Sequence, residues 1–416
     1  MAQLSDDCFA FGGPLLSVDE AVAMLETRLV PVAGVERVPL TAAVDRILAD
    51  DLVAALDVPP FDNSAVDGYA VRHADLRADG DTILPVAGRV AAGHALGRDG
   101  RAGEAVRIFT GAPMPAGLDT VMMQEDAVLD GGHVVLRPGL KAGANRRRAG
   151  EDLARGTLAL AAGRRLRPQD VGLCAALGLA DVAVRTPLRV AVFSTGDEVA
   201  EPGRPLPPAA VYDSNRLTLR AMLARLGCAV SDMGILPDDP ARLGAALAGA
   251  AAGHDLLLTS GGVSTGEEDH VKTAVEGEGS LHFWRLAIKP GRPVAMGQVR
   301  GTPFVGLPGN PVAVVVTFVR LVRPLLLRLA GAAPERPLLY PVVAGFDYRK
   351  KAGRREYVRV RLVPGADGVT AEKFGRDGAG VLSSLVGSDG FVELPETVER
   401  LAIGDRVWVL PFDAVL

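Results

Sequence analysis

Apolar and polar positions follow three textures along this chain. Near the start, Ser17 followed by Glu20 has the spacing of a capping box, and Val18, Ala21, Val22, Leu25 and Leu29 recur at helical intervals after it. An amphipathic helix is predicted there. From about Leu52 to Asp152 the runs are short, as in TILPVAGRV, AVRIFTG, DTVMMQE and GGHVVLRPG, with glycine, proline and aspartate between them. That texture predicts an antiparallel β module. Between about Pro187 and Gly331 strand-like and helix-like segments alternate, as they do in a doubly wound parallel sheet. After Pro334 the β texture returns in LLYPVVAGF, REYVRVRLV, GVTAEKF, GFVELP and DRVWVLPF, which predicts a small closed barrel or sandwich. The fold class is α/β plus β, in several domains.

Within the α/β stretch, LRVAVFS leads to TGDE, and a helix is predicted from Ser214 with Leu219, Met222, Leu223 and Leu226 on one side and Gly227 as its stop. AVSDMGIL leads to PDDP, where Asp239 can cap a helix that starts on Pro240. DLLLTSGG is the third strand. TPFVGL leads to PGNP, where Asn310 and Pro311 repeat the cap-and-proline start. The most membrane-like run, Val312 to Leu329, carries Arg320, Arg323 and Arg328 and is interrupted by Pro324, so it reads as a kinked, half-buried helix rather than a span.

Composition narrows the function. The 416 residues are 48% apolar and 23% charged, with a formal net charge of -5, which leaves no general attraction for nucleic acid. Any anion site must be local. Cys8, Cys174 and Cys228 are few, odd in number and far apart, so a reducing cytoplasm is expected and neither a disulfide framework nor a zinc site is indicated. MAQLSDDCFAFGG lacks the basic and apolar regions of a secretory signal. No HExxH, GxSxG, Walker loop or GxGxxG after a strand occurs.

In open α/β sheets ligands bind outside the carboxyl ends of the strands. Polar residues gather at those ends here: Glu198 after the first strand, Asp238 after the second, Gly261, Gly262, Ser264 and Asp269 after the third, Pro308 and Asn310 after the fourth. The loop DLLLTSGGVSTGEEDH alone would also suit an ordinary strand-to-helix connection. With the other three it becomes one wall of a crevice, its glycines open to an oxyanion and its acids to a divalent cation. In LAIKPGRPVAMG, a strand broken by a Pro-Gly turn, Lys289 and Arg292 face one side; Arg285 lies four residues earlier, so Arg285 and Lys289 are expected to bracket one anion. Asp62, Asn63, Ser64 and Asp67 crowd a turn in PPFDNSAVDGYAV, Thr110 ends a strand in RIFTGAP, and Arg146, Arg147 and Arg148 read as a solvated loop.

In order, PPFDNSAVDGYAV, RIFTGAP, RRRAGED, FSTGDE, YDSNR, PDDP, TSGGVSTGEEDH, LAIKPGRP and GLPGNPVAV match the pattern of molybdopterin molybdenumtransferases, and the chain resembles that family over nearly its whole length. The resemblance implies insertion of molybdate into adenylylated molybdopterin with Mg²⁺-dependent release of AMP. It implies an α/β domain from residues 14–27 plus 184–332, a small linking domain from 28–50 plus 153–183, an inserted β-rich domain at 51–152 and a C-terminal β domain at 333–416. Asp67, Asp152, Glu198, Asp238 and Asp269 carry over as functional acids, and Thr110 and Lys289 as matching site residues; as hard oxygen ligands, Glu198 and Asp269 are expected to hold the Mg²⁺. It further implies a homodimer in which Asp67 and Thr110 of one subunit face the α/β cleft of the other, and transient contact with a molybdopterin adenylyltransferase. Arg285 and Arg292 stand where many members have lysine, and Ala379 where some have serine, a lost hydroxyl that gives Arg359, Ser383 and Ser384 less weight as site residues. An adenylyltransferase and a noncatalytic pterin-binding scaffold remain the alternative readings.

Overall fold

The structure, a computed structural model, describes residues 15–261, 270–366 and 368–416. Gly262, Ser264, Asp269 and the neighbouring Gly266, Glu267 and Glu268 lie outside the described residues. The predicted N-terminal helix spans Val18–Arg28, with both halves of its capping box present: the Glu20 N–H donates to Ser17 Oγ at 3.2 Å and the Ser17 N–H to Glu20 Oε2 at 2.9 Å.

The α/β unit is a six-stranded sheet in the order Ala229–Leu236, Arg189–Thr195, Leu256–Ser260, Thr302–Leu307, Pro293–Val299, Gly279–Arg285. The first four strands are parallel and the last two join by antiparallel pairings in which Pro293–Val299 alone is reversed, so the expected parallel sheet is a mixed one. A reversed hairpin at the edge needs no crossover helix, which is why the apolar pattern alone did not separate it from a parallel strand. Alternation with period two sends Val190, Val192, Leu256, Leu258, Val294 and Met296 into one core with the N-terminal helix. Ala191, Phe193, Leu257 and Ala295 go into a second core, under the helices Pro240–Ala251 and His270–Glu278. The helix Ser214–Arg225 ends as predicted: Gly227 sits at φ +78° and the Cys228 N–H reaches the Leu223 carbonyl at 3.1 Å, a glycine-dependent stop.

The Val312 to Leu329 run differs from expectation. It is helical at Pro311–Thr317, passes through a π-helical segment at Phe318–Val322 and continues as Arg323–Leu329, and most of its side chains are buried rather than half-buried. Pro324 has no N–H to give, and the widened turn just before it absorbs the defect. Its apolar residues fall on every side because it is covered by sheet, N-terminal helix and C-terminal unit at once, and the buried Arg323 is paired with Glu335 at 3.1 Å. No helix of the described residues is long and apolar enough to cross a membrane.

The β module is one six-stranded sheet in the order Thr120–Met123, Gly68–Val71, Ala105–Ile108, Thr82–Val90, His133–Leu136, Ala127–Asp130. It is antiparallel except for the pair Thr82–Val90 and Ala105–Ile108. A separate core of Val38, Leu48, Leu160, Leu166, Cys174 and Val184 draws on segments before and after this module, where Val35–Pro39 pairs with Asp181–Arg185. Past Pro334, Arg355–Gly365 pairs on both edges and the ladder runs through Gly368–Lys373, Tyr340–Ala344, Arg406–Pro411 and Gly390–Leu394 back to its start, closing a five-stranded barrel.

Candidate active site

Four loops leave the carboxyl ends of the parallel strands, and three of them wall a cleft of about 410 Å³ lined by Thr195, Glu198, Tyr212, Asn215, Gly261 and Asn310, among others. Glu198 is exposed on the loop after Arg189–Thr195, and its carboxylate folds over Gly196; a Cβ there would sit 2.5 Å from Glu198 Oε2, and the backbone holds φ +128°. Glycine at 196 thus keeps space for the acid. Asp238 belongs to the second loop and touches the first through Thr195 Oγ1, which donates to it at 3.4 Å; it does not itself line the cleft.

Asn215, in the first turn of Ser214–Arg225, ties the remaining two loops together. Its Nδ2 donates to the Gly309 carbonyl at 2.7 Å and to Ser260 Oγ at 3.0 Å, and Ser260 Oγ donates to the Pro308 carbonyl at 3.1 Å. Asn310 occupies the N-cap position before Pro311, yet its side chain makes no capping bond, contrary to the sequence reading. The Ala379 carbonyl of the C-terminal unit instead accepts from the Val312 N–H at 3.0 Å, which leaves the Asn310 amide at the cleft. Asn215 was present in the YDSNR motif but was not singled out, because nothing in spacing reveals a side chain that spans two distant loops.

The helix carrying Asn215 is itself anchored by Arg216, only 2% exposed. Its guanidinium donates to Asp213 at 2.8 Å, to Glu201 at 2.5 Å and to Asp232. Burial disfavours the charge, but the three carboxylates more than offset this and raise its pKa.

Arg285 and Lys289 are not brought together on one strand. Arg285 ends Gly279–Arg285 in the α/β sheet, where its carbonyl accepts from Leu16 N–H at 2.9 Å; Ile288–Lys289 then pairs with Arg355–Gly365 of the barrel. The chain changes sheets within four residues, so the face rule for one strand does not apply. Arg285 and Arg292 are exposed and line neither cavity described here.

Lys289 enters a second cavity of about 330 Å³ at the barrel, with Arg349, Arg359, Lys373, Glu356 and Asp377. Lys289 Nζ donates to Glu356 Oε2 at 3.1 Å, an oxygen that also accepts from Tyr348 OH at 2.9 Å. Arg359 is 8% exposed; one of its nitrogens donates to the Arg376 carbonyl at 3.2 Å, and its buried Nε has no partner among the described residues. Burial pulls the Arg359 pKa down, and Asp377 opposes this without cancelling it. Four cations against two carboxylates, one cation buried and underpaired, make a receptor for a compact anion. The two cavities share a wall: Gly378 and Ala379 line the barrel cavity, Gly380 and Leu382 the cleft.

On the β module, Asp67 Oδ1 accepts from both the N–H and the hydroxyl of Thr110, each at 2.8 Å, and these bonds lower its pKa. Neither residue lines the Glu198 cleft of the same chain. Asp152 is exposed, and its N–H donates to the Val58 carbonyl at 3.1 Å. The arginine run is not merely solvated: Arg146–Arg147 pairs with Asn63–Ser64, and Asp62 takes bonds from Arg146 and, at 2.8 Å, from the Ala149 N–H.

A doubly wound domain with polar loops at its strand ends, beside a β module and a closed barrel that contributes to the same cleft, defines a multidomain protein built to hold an anionic small molecule. Family models match along the chain: the MoeA N-terminal region (domain I and II) at residues 16–178, a probable molybdopterin binding domain at 191–328 and the MoeA C-terminal region (domain IV) at 341–412. The chain is 38% identical to the molybdopterin molybdenumtransferase of Haemophilus influenzae over 405 residues, 97% of this chain and 100% of that protein. It is 39% identical to molybdopterin molybdenumtransferase 2 of Mycobacterium tuberculosis over 385 residues, 89% of this chain and 94% of that one. The crystal structure of the molybdopterin biosynthesis moeA protein from Pyrococcus horikoshii superposes with a TM-score of 0.83 at 30% identity, covering 96% of this chain and 100% of that chain. The chain belongs to the molybdopterin molybdenumtransferase family, enzymes of molybdenum cofactor biosynthesis.

Proposed function

We propose that this enzyme inserts molybdate into adenylylated molybdopterin and releases AMP. The observation that carries the reading is the shared wall. A polar cleft of about 410 Å³ and a cation-rich cavity meet across residues 378–382, so a nucleotide-bearing pterin and a dianion can be held side by side. Molybdate is repelled by the dithiolene and the phosphoanhydride; Lys289 and Arg359 neutralise that encounter. With alanine at 379 these cations bind the oxyanion without a hydroxyl from that position.

Gly261, Asn310 and the Pro308 turn frame the phosphates, with Gly262 and Ser264 assigned to the same loop. Asp238, which touches the cleft through Thr195, is assigned to orient the nucleotide or an attacking water. Among the described residues no three His, Cys, Asp or Glu side chains gather as a metal site. Glu198 nevertheless fits Mg²⁺, which keeps several waters and takes one or two carboxylates plus substrate phosphate oxygens, and Asp269 is the second carboxylate assigned to it. When bound, that ion neutralises anhydride charge. Because Asp67 and Thr110 stand away from the cleft of their own chain, they act on the cleft of a second copy in a homodimer, with Asp152 assigned to the same surface.

Glu198→Ala and Asp269→Ala should keep the wild-type melting temperature but stop AMP release from adenylylated molybdopterin. A normally active Asp269→Ala enzyme sinks the metal assignment.

A further inference from the structure

We propose that Tyr212 is the stacking platform for the adenine of the substrate, an assignment that rests on the function proposed above. It is the sole aromatic side chain among the described residues lining the Glu198 cleft, and it is 45% exposed. A tyrosine left so open inside a cleft has an apolar face that water covers poorly. Among the described residues no aromatic ring or cation is stacked on it.

The ring is held rather than loose. Its hydroxyl donates to the Arg204 carbonyl at 2.9 Å, and the residue after Arg204 is a proline, in the proline-rich segment EPGRPLPP at 201–208. A proline-rich loop is stiff before any ligand arrives, which limits the entropy lost on stacking. Val211–Tyr212 also pairs with Val199–Ala200, and the Val211 N–H donates to the Glu198 carbonyl at 2.8 Å. Tyr212 is thus coupled to the backbone of the acid assigned to the phosphate end of the nucleotide. The next residue, Asp213, is buried and clamped by Arg216.

Position selects adenine over the pterin. The dithiolene must reach the Lys289 cavity across the 378–382 wall, whereas Tyr212 lines the cleft alone. The base, one ribose away from the phosphates, is the flat group that falls on the Glu198 side. A π-face accepts any base, so the platform supplies affinity, and selectivity for adenine would come from the surrounding polar edges.

The test measures binding of AMP and of ribose 5-phosphate, each with Mg²⁺, to the full-length wild type and to Tyr212→Phe, Tyr212→Leu and Tyr212→Ala. Loss of base stacking should weaken AMP binding about 5- to 150-fold in the leucine and alanine variants, and phenylalanine should stay within about threefold of wild type. Ribose 5-phosphate binding should be the same in all four proteins. Wild-type affinity for AMP in Tyr212→Leu or Tyr212→Ala overturns the platform while leaving the nucleotide cleft standing. Parallel weakening of AMP and ribose 5-phosphate also overturns it, because that pattern reports a displaced loop. Failure of the wild type to bind AMP overturns the nucleotide reading of the cleft and the platform with it.

Discussion

Replacing Asn215 tests whether the cleft is assembled by a side chain that bridges two loops. Asn215→Ala removes the donors to the Gly309 carbonyl at 2.7 Å and to Ser260 Oγ at 3.0 Å. Two net hydrogen bonds amount to about 1–3 kcal/mol of stability. For a unit of roughly 150 residues this is a fall in melting temperature of about 2–12 °C. The catalytic effect should exceed the thermal one, since a loop displaced by an ångström can cost about 100-fold in rate. Asn215→Asp is the sharper variant. It keeps the shape but turns an acceptor toward the Gly309 carbonyl, so it should be less stable than Asn215→Ala. Thermal unfolding and AMP release at saturating substrate read the two effects separately. Wild-type melting and turnover in Asn215→Ala, or an aspartate variant more stable than the alanine one, would refute the bridge.

Two further perturbations follow from the charge networks. Arg216→Met strands the buried Asp213 without its cation, whereas Asp232 keeps Arg220 at 2.6 Å, and should destabilise the α/β unit by roughly 3–5 kcal/mol in thermal or denaturant unfolding; a change under 1 kcal/mol would contradict the buried clamp. Asp170 is buried and bonded to Arg164 at 2.8 Å and to the Arg167 N–H at 3.0 Å; burial opposes its charge, but these partners hold its carboxyl well below the ordinary 3.8. A depressed carboxylate pKa contributes stability above the unfolded value and loses it as pH falls through the folded one. The melting-temperature gap between wild type and Asp170→Asn should therefore be constant from about pH 5 to 8 and shrink progressively below about pH 4; a gap independent of pH would contradict it.

Local signals were legible where a few neighbouring residues decide the outcome. The Ser17 and Glu20 capping box, the Asp239 cap before Pro240 and the Gly227 stop formed as their residue types require. The strand ends that open the loops were legible for the same reason, since each closes an apolar run of strand length, although residues 262–269 lie outside the described residues. What escaped depends on partners distant in sequence. Lys289 pairs across a different sheet from Arg285, Asn310 loses its capping role to Ala379, 69 residues away, and Asn215 meets Gly309, 94 residues on. The barrel anion cavity was not legible in the residue pattern: Arg359 entered only through the family resemblance and with less weight, because an arginine in REYVRVRLV alternates like any outward strand residue, and only barrel closure shows it to be buried.

The central claim is most directly tested by incubating the purified protein with adenylylated molybdopterin, molybdate and Mg²⁺ and following AMP and active molybdenum cofactor together. The two products should appear in equal amounts, both lost when Mg²⁺ is chelated and both slowed when Lys289→Met and Arg359→Met are combined. AMP and cofactor formed at wild-type rates by that double variant, or ATP consumed in place of AMP released, would contradict the account.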